Sequence, residues 1–248
     1  MGYSINSPLT RHCNRFDGIT VPEVAGYWPL IASLKGKDVS KGKSDAILRD
    51  VKSAVGPLKQ PYTAFAVTND PSSRIEIRNT RAITISREFT VLTYLYQSSY
   101  ISDGLIMLWS SSNIIFRMAG KKISILLEGF VETYQATSDV VIEPDTWYMI
   151  GASVNLQKGI VSVFVDSRVT TVNYRSLRIM PVSMDDITIG GRGFRGSLSC
   201  VQLYKNYMDI VSILAARATC KSYLKKPGDA GRFLETPSNR TNCPRVFP

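Results

Sequence analysis

The stretch that decides the fold is DTWYMIGASVNLQKGIVSVFVD, residues 145–166. Two apolar runs of strand length are separated here by a short polar break that contains Gly159. The first run is apolar on both alternating faces, which indicates a strand covered on both sides. In the second run Val161, Val163 and Val165 share one face. The pattern predicts a β-hairpin, and Trp147 is expected to be a core or rim residue rather than a platform for stacking a sugar.

Similar segments recur along the chain from about residue 63. Short runs rich in Val, Ile, Tyr, Phe and Thr alternate with Gly, Asn, Asp, Ser or Pro. The runs are TAFAV, RIEIR, AITIS, FTVLTYLYQ, LIMLWS, NIIFRM, KISILL, DVVI, TWYMIGASV, IVSVFVD, RVTTV, DITIGG and GSLSCVQLYK. Their length and regular spacing predict an all-β fold, an antiparallel two-sheet β-sandwich of the jelly-roll type.

Three further segments complete the organisation. Residues 44–56, SDAILRDVKSAVG, favour an irregular loop or edge strand over a helix. Residues 208–220, MDIVSILAARATC, predict one short C-terminal helix capped by Asp209. Its apolar residues at helical spacing are Ile210, Ile213, Leu214 and Ala218. The Pro-, Gly- and charge-rich tail indicates an extended wrap. We therefore expect an N-terminal extension (1–24), one sandwich domain (25–220) and a C-terminal extension (221–248).

The chain is basic, with 30 Lys and Arg against 20 Asp and Glu and a formal net charge of +10. This balance predicts attraction to polyanions, although surplus lysines can also serve solubility alone. Eight basic residues fall in predicted loops and turns: Lys35, Lys37, Lys41, Lys43, Lys121, Lys122, Arg192 and Arg195. They form a heparin-binding patch if the fold gathers them at one rim, and no site if it scatters them. Nucleic acid is not expected, because no recognised basic helix or basic-aromatic platform is present.

The four cysteines, Cys13, Cys200, Cys220 and Cys243, include no C-x-x-C pair, and His12 is the only histidine. Zinc and a Cys/His nucleophilic pair are therefore poorly supported, whereas disulfides are favoured and three connectivities are open. Wide cysteine spacing and the N-glycosylation sequon at Asn239 predict a secreted, extracellular protein. No apolar run reaches the length of a membrane span.

Several motifs, taken in order, resemble those of laminin G-like, or concanavalin A-like (pentraxin-type), jelly-roll domains. The hairpin of residues 145–169 is similar to their central signature, and the other matching segments are YWPL (27–30), FTVLTYLY (89–96), SDGLIMLW (102–109) and the closing stretch from DITIGG to the last cysteine of the helix (186–220). The resemblance covers roughly residues 25–220. One departure is the tight turn at Asp166-Ser167, where the family usually has Asp-Gly.

The resemblance implies more than a fold. In such domains a disulfide often ties the last strand to the segment after the closing helix, which implies a Cys200–Cys220 bridge and leaves Cys13 to pair with Cys243. These domains often hold calcium at a loop rim, so Asp70, Asp103 and Asp166, which sit in predicted loops, are candidate ligands, although none falls in a dense acidic cluster. Apart from possible calcium, no cofactor is expected. Binding of heparin-like glycans is also known in the family.

Glycoside hydrolases and lyases share this architecture, so an enzyme must be considered. Their chemistry needs two carboxylates held on one face. The nearest local pair, Glu128 and Glu132, spans the region of Gly129 rather than one strand, and the adjacent Asp185 and Asp186 point apart. The Glu-x-Asp-x-x-Glu pattern typical of the family's enzymes is absent. The glycines of GGRGFRG (190–196) predict a strand-to-strand corner rather than a phosphate loop. We therefore predict a non-enzyme without catalytic residues.

The function predicted is extracellular adhesion or recognition, with a sulfated or acidic glycan or an extracellular protein bound by rim loops. One alternative is a structural component of the extracellular matrix without a discrete ligand site. A divergent carbohydrate-active enzyme is the other alternative, and it differs in class.

Overall fold

The computed structural model describes residues 21–78, 87–99, 103–109, 114–129, 132–175, 177 and 186–225. In chain order the strands are β1 (Val24–Trp28), β2 (Ala46–Arg49), β3 (Lys52–Ala54), β4 (Ala64–Val67), β5 (Arg74–Ile77), β6 (Glu88–Gln97), β7 (Asp103–Trp109), β8 (Ile114–Ala119), β9 (Lys122–Glu128), β10 (Thr133–Val141), β11 (Trp147–Asn155), β12 (Ile160–Val165), β13 (Arg168–Asn173), β14 (Ile187–Gly190) and β15 (Gly196–Tyr204). One helix follows, α1 (Ile210–Lys225).

The strands form two antiparallel sheets. Sheet A has the order β13-β12-β11-β6-β15-β4-β3, with β1 also paired to β15, and sheet B has the order β10-β9-β8-β7-β14-β5-β2. The main core lies between them, because alternate residues of each strand point inward. In β5, for example, Ile75 and Ile77 are buried while Arg74 and Glu76 are half-buried on the outer side. The predicted all-β sandwich with one C-terminal helix is confirmed.

The outer faces of the two sheets differ in whether other elements pack on them. A second apolar cluster packs α1 and the segment after β1 onto the outer face of sheet A, through residues such as Ile31, Tyr94, Phe164 and Ile213. The disulfide between Cys200 and Cys220 fastens β15 to α1 there, so that prediction is confirmed. Neither cluster contains an element covering the outer face of sheet B among the described residues. The part of the chain that the structure describes therefore leaves the outer face of sheet B open.

The hairpin of residues 145–166 forms β11 and β12, paired from Ile150 opposite Val165 to Asn155 opposite Ile160. Trp147 is half-buried at the rim and its ring packs against Tyr96 with 5.5 Å between centroids. The rim position therefore agrees with the prediction. In the tight turn after β12 the residue with positive φ is Asp166 (55°), not Ser167. Aspartate tolerates this left-handed conformation better than most residues do.

Residues 44–56 form the edge strands β2 and β3, as the sequence favoured. Helix α1 begins after Asp209, whose Oδ1 accepts a hydrogen bond of 2.8 Å from the backbone N–H of Ser212, which confirms the cap. The predicted end of the helix needs correction. It continues to Lys225, so residues 221–225 are helical rather than extended, because the buried spacing of Ala216 and Cys220 carries on to Leu224.

Several predictions fall outside the described residues. They concern the AITIS run, His12, the Cys13–Cys243 bridge, the Asn239 glycan and Asp185. The one helix that the structure describes is not long and apolar enough to cross a membrane.

Candidate ligand-binding groove

The open face of sheet B combines an apolar floor with arginines. Cross-strand register places Leu105 opposite Arg117, and Arg117 opposite Ser124. The neighbouring row carries Leu108, Ile115 and Leu126, and all three are half-buried. Side chains that lie side by side on one face of a sheet form a continuous surface. The face is thus apolar along its middle and cationic toward one end.

Two adjoining cavities of about 220 Å³ each open on this face. They share Leu105 and Arg192 in their linings. We call the two together the sheet B groove, defined by Arg74, Asp103, Leu105, Leu108, Ile115, Arg117, Thr188 and Arg192. Three guanidinium groups, one carboxylate and one hydroxyl therefore surround an aliphatic floor.

The glycine-rich corner between β14 and β15 positions Arg192. Gly191 and Gly193 both have positive φ, which glycine adopts without strain, and Phe194 anchors the corner in the core. The backbone N–H of Leu105 donates to the carbonyl of Arg192 at 3.3 Å, and this bond fixes the corner against β7. The segment predicted to be a strand-to-strand corner is confirmed as one, and it also presents a cation to the groove.

A different arrangement holds Arg74. Its Nε donates to Oε1 of Glu76 at 2.7 Å, and Nη1 donates to the carbonyl of Pro71 at 2.7 Å. Glu76 also pairs with Arg49 at 2.9 Å, and this bond is the main reason that the pKa of Glu76 lies below its usual value. Arg74 is therefore oriented by its neighbours, and Arg49 adds positive charge to the same edge.

The side chain of Arg117 has an unsatisfied hydrogen-bond donor. Its side chain is half-buried, and its Nε is buried without a hydrogen-bond partner among the described residues. A buried donor of this kind costs free energy unless a ligand or a water satisfies it. A guanidinium offers paired N–H groups that match a carboxylate or sulfate, so the groove can hold an anionic group beside an aliphatic surface.

The structure does not bring the eight predicted basic residues together. Arg192 and Arg195 precede the first residue of β15, and Lys121 and Lys122 lie at the β8–β9 turn beside the start of β7. The loop that carries the other four, Lys35, Lys37, Lys41 and Lys43, lies at the opposite end of β15. There Lys41 and Val24 line one cavity, and Val24 pairs with Tyr204, the last residue of β15. A nine-residue strand spans about 27 Å, so two separate basic regions result.

The three calcium candidates also remain apart. Asp70 accepts a bond from the N–H of Ser72 in its own turn, Asp103 lies at the groove, and Asp166 pairs with Arg217 at 3.5 Å. No group of three or more His, Cys, Asp or Glu in the described ranges is arranged to hold a metal ion.

The carboxylate pair considered for catalysis does not lie in the groove. Glu128 and Glu132 are exposed at the β9–β10 turn, where the N–H of Gly129 donates to the carbonyl of Glu132. Glu128 ends β9, whereas Ser124, opposite Arg117, lies nearer its start. Asp186 immediately precedes β14.

Sequence reasoning missed Arg74, Arg117 and the aliphatic floor. The signal was present in RIEIR and NIIFRM, where the arginines occupy outward positions of alternating strands. Finding the site also required the pairing of β14 with β7, two strands that are far apart in the chain.

No protein-family model matches the chain, and no curated protein matches its sequence. Solved structures do match its fold. The binding domain of botulinum neurotoxin serotype G is 10% identical with a TM-score of 0.63, covering 79% of this chain and 51% of that one. The binding domain of Paraclostridial Mosquitocidal Protein 1 is 13% identical with a TM-score of 0.67, covering 79% and 52%.

A third similar structure is the ligand binding domain of botulinum neurotoxin serotype D in complex with N-acetylneuraminic acid. It is 10% identical with a TM-score of 0.66, covering 79% of this chain and 50% of that one. The chain thus spans about half the length of the structures it matches. At these identities the similarity shows the β-sandwich fold, and it does not single out the laminin G or pentraxin families.

Proposed function

We propose that the protein is an extracellular glycan-binding module, without catalytic activity, that holds an acidic sugar in the sheet B groove. The observation that carries this proposal is the juxtaposition of Arg117 and Arg192 around the aliphatic floor at Leu105. Guanidinium groups suit the carboxylate or sulfate of an acidic sugar. The floor suits the apolar C–H face of the ring, since apolar surface gains from leaving water.

The matched structures support the class of ligand. The serotype D domain is described in complex with N-acetylneuraminic acid, a sugar that carries a carboxylate. Because the shared fold covers only about half of that domain, the proposal for this chain rests on its own groove. The extracellular setting is supported by the Cys200–Cys220 disulfide, since such bridges persist in oxidising compartments.

A glycan array with matched sialylated and desialylated glycans tests the proposal. Repeating the array with and without calcium tests whether binding requires the metal ion. We expect retention of the sialylated members, and about tenfold weaker binding for Arg117→Gln and for Arg192→Gln. Arg168→Gln removes the same charge from exposed edge strand β13 and serves as the control. Equal retention of both glycan sets would contradict the proposal. So would a loss of binding for Arg168→Gln as large as the losses for Arg117→Gln and Arg192→Gln.

A further inference from the structure

A third cavity, of about 390 Å³, lies at the opposite end of β15 from the sheet B groove. We call it the lower cavity, and its lining includes Glu23, Val24, Lys41, Gly42, Lys205 and Asn206. Lys41 and Lys205 approach it from different parts of the chain, the loop after β1 and the end of β15. Both lysine side chains are exposed, so a ligand from solution can reach them.

The loop that carries Lys41 is held by buried hydrogen bonds. Asp38 is 2% exposed, and its carboxylate accepts bonds from the backbone N–H groups of Tyr27, Ser40 and Ser44 at 2.8 to 3.0 Å. The N–H of Gly42 in turn donates to Oγ of Ser40 at 3.1 Å. The backbone on either side of Lys41 is thus fixed, which reduces the entropy lost when its ammonium group binds a ligand.

An anionic group of the protein, the carboxylate of Glu23, already pairs with one of the two lysines. Oε1 of Glu23 is 2.9 Å from Nζ of Lys41. The pKa of Glu23 is lowered chiefly by its hydrogen bond to Lys41, and also by the charge of Lys205. Glu23, Lys41 and Lys205 thus line one cavity, and both lysines favour the ionised form of the same carboxylate.

We propose that the lower cavity is a second anion-binding site, specific for the sulfate groups of a sulfated glycan, and that Glu23 competes with the ligand for Lys41. Ammonium groups act as compact point charges without the planar fork of arginine, so they suit a tetrahedral sulfate. The extracellular setting implied by the disulfide favours a glycan over nucleic acid. Among the described residues, no aromatic side chain lines the cavity to stack a base.

Titration calorimetry of the full chain at low salt tests this inference, with a heparin-derived hexasaccharide and its desulfated counterpart as probes. Glu23→Gln releases Lys41 and is expected to strengthen hexasaccharide binding about two- to fivefold, the range that an exposed ion pair allows. The control Glu128→Gln makes the same change in net charge at an exposed turn outside the cavity and is expected to leave the affinity unchanged. The double variant Lys41→Gln/Lys205→Gln is expected to lose about tenfold.

Three outcomes would overturn the inference. They are equal effects of Glu23→Gln and the control, undiminished binding by the double lysine variant, and tighter binding of a single-stranded oligonucleotide than of the hexasaccharide. If a variant fails to fold, NMR titration of the unaltered protein tests the inference. The amide chemical shifts of Gly42 and Asn206 should change and saturate with the sulfated probe and should not change with the desulfated one. The strengthening by Glu23→Gln should persist in an Arg117→Gln background, because Glu23 lines the lower cavity and not the sheet B groove, so the failure of one site does not mimic the failure of the other.

Discussion

The backbone N–H of Tyr27 donates a hydrogen bond of 3.0 Å to the buried carboxylate of Asp38, eleven residues further along the chain. This bond joins β1 to the lysine-bearing loop. The same carboxylate accepts bonds from Ser40 and Ser44, so three backbone donors depend on one side chain. The buried acid therefore organises the backbone of the loop, in addition to the apolar packing of Ile31 and Val39.

Asp38→Ala should lower the free energy of unfolding by about 3 kcal/mol, because it leaves several buried N–H groups without acceptors. Chemical denaturation measures this loss. Asp45→Ala is a matched control, since the exposed Asp45 accepts a bond of 2.9 Å from the N–H of Asp38. It should cost less than half as much. Equal losses would show that Asp38 does not organise the loop.

Gly151→Ala should lower the free energy of unfolding by about 1 to 3 kcal/mol, the usual cost of overpacking a core. A Cβ at this position would lie 2.6 Å from the carbonyl oxygen of Val91 and 2.5 Å from Cδ2 of Leu92, so β11 and β6 must separate. At Gly120, by contrast, no atom lies within 4 Å, and Gly120→Ala meets only the cost of its positive φ. Thermal denaturation of both variants compares steric and backbone costs. An unchanged Gly151→Ala protein would contradict the tight pairing of these central strands.

Removal of the Cys200–Cys220 disulfide should destabilise the protein by about 3 kcal/mol, the loop-entropy value for a separation of 20 residues. We expect the double Cys→Ala variant to unfold at lower denaturant concentration. The reducing agent that destabilises the parent protein should leave this variant unaffected. A variant as stable as the oxidised parent would mean that packing alone holds α1 on sheet A.

The cap of α1 predicts a pH dependence. The pKa of Asp209 is lowered from 3.8, mainly by the hydrogen bond from the backbone of Ser212, so the folded protein favours its ionised form. Its contribution is present above pH 3.8 and is lost as the pH falls through the lowered folded value. Asp209→Ala should cost about 1 kcal/mol at pH 7. The difference from the parent should shrink in acid, and a pH-independent difference would rule out the charged cap.

A disulfide between Cys13 and Cys243, which lie outside the described residues, is a separate prediction. Peptide mapping without reduction should yield one linked peptide containing Cys13 and Cys243, and mass spectrometry identifies it. Alkylation of both cysteines in the unreduced protein would contradict the pairing.

Most of the fold was predictable because its signals are local. Alternation in RIEIR, NIIFRM and the central hairpin specifies strands one at a time, and Asp209 marks the start of the helix by its position alone. The extension of α1 to Lys225 was missed because the change of composition after Cys220 was given more weight than the continuing helical spacing.

The basic sites were predicted less well, because a list of lysines in loops carries no information about which loops meet. The sequence placed Lys41 and Arg192 in one group, whereas β15 separates them. Arg117 was not predicted as a site residue, because a single arginine in an apolar strand is typical of an outward-facing position. Only the fold shows that Leu105 and Arg192 lie beside it.

By itself the sequence determined the all-β class, the strands, the helix cap and the basic character of the protein, because these depend on neighbouring residues and total charge. Only the tertiary structure decided that α1 covers sheet A while no described segment covers sheet B, and that the charges divide between two ends of the sandwich. The physical reason is that strand pairing brings together residues that are far apart in the chain, and a groove forms only where such residues line one surface.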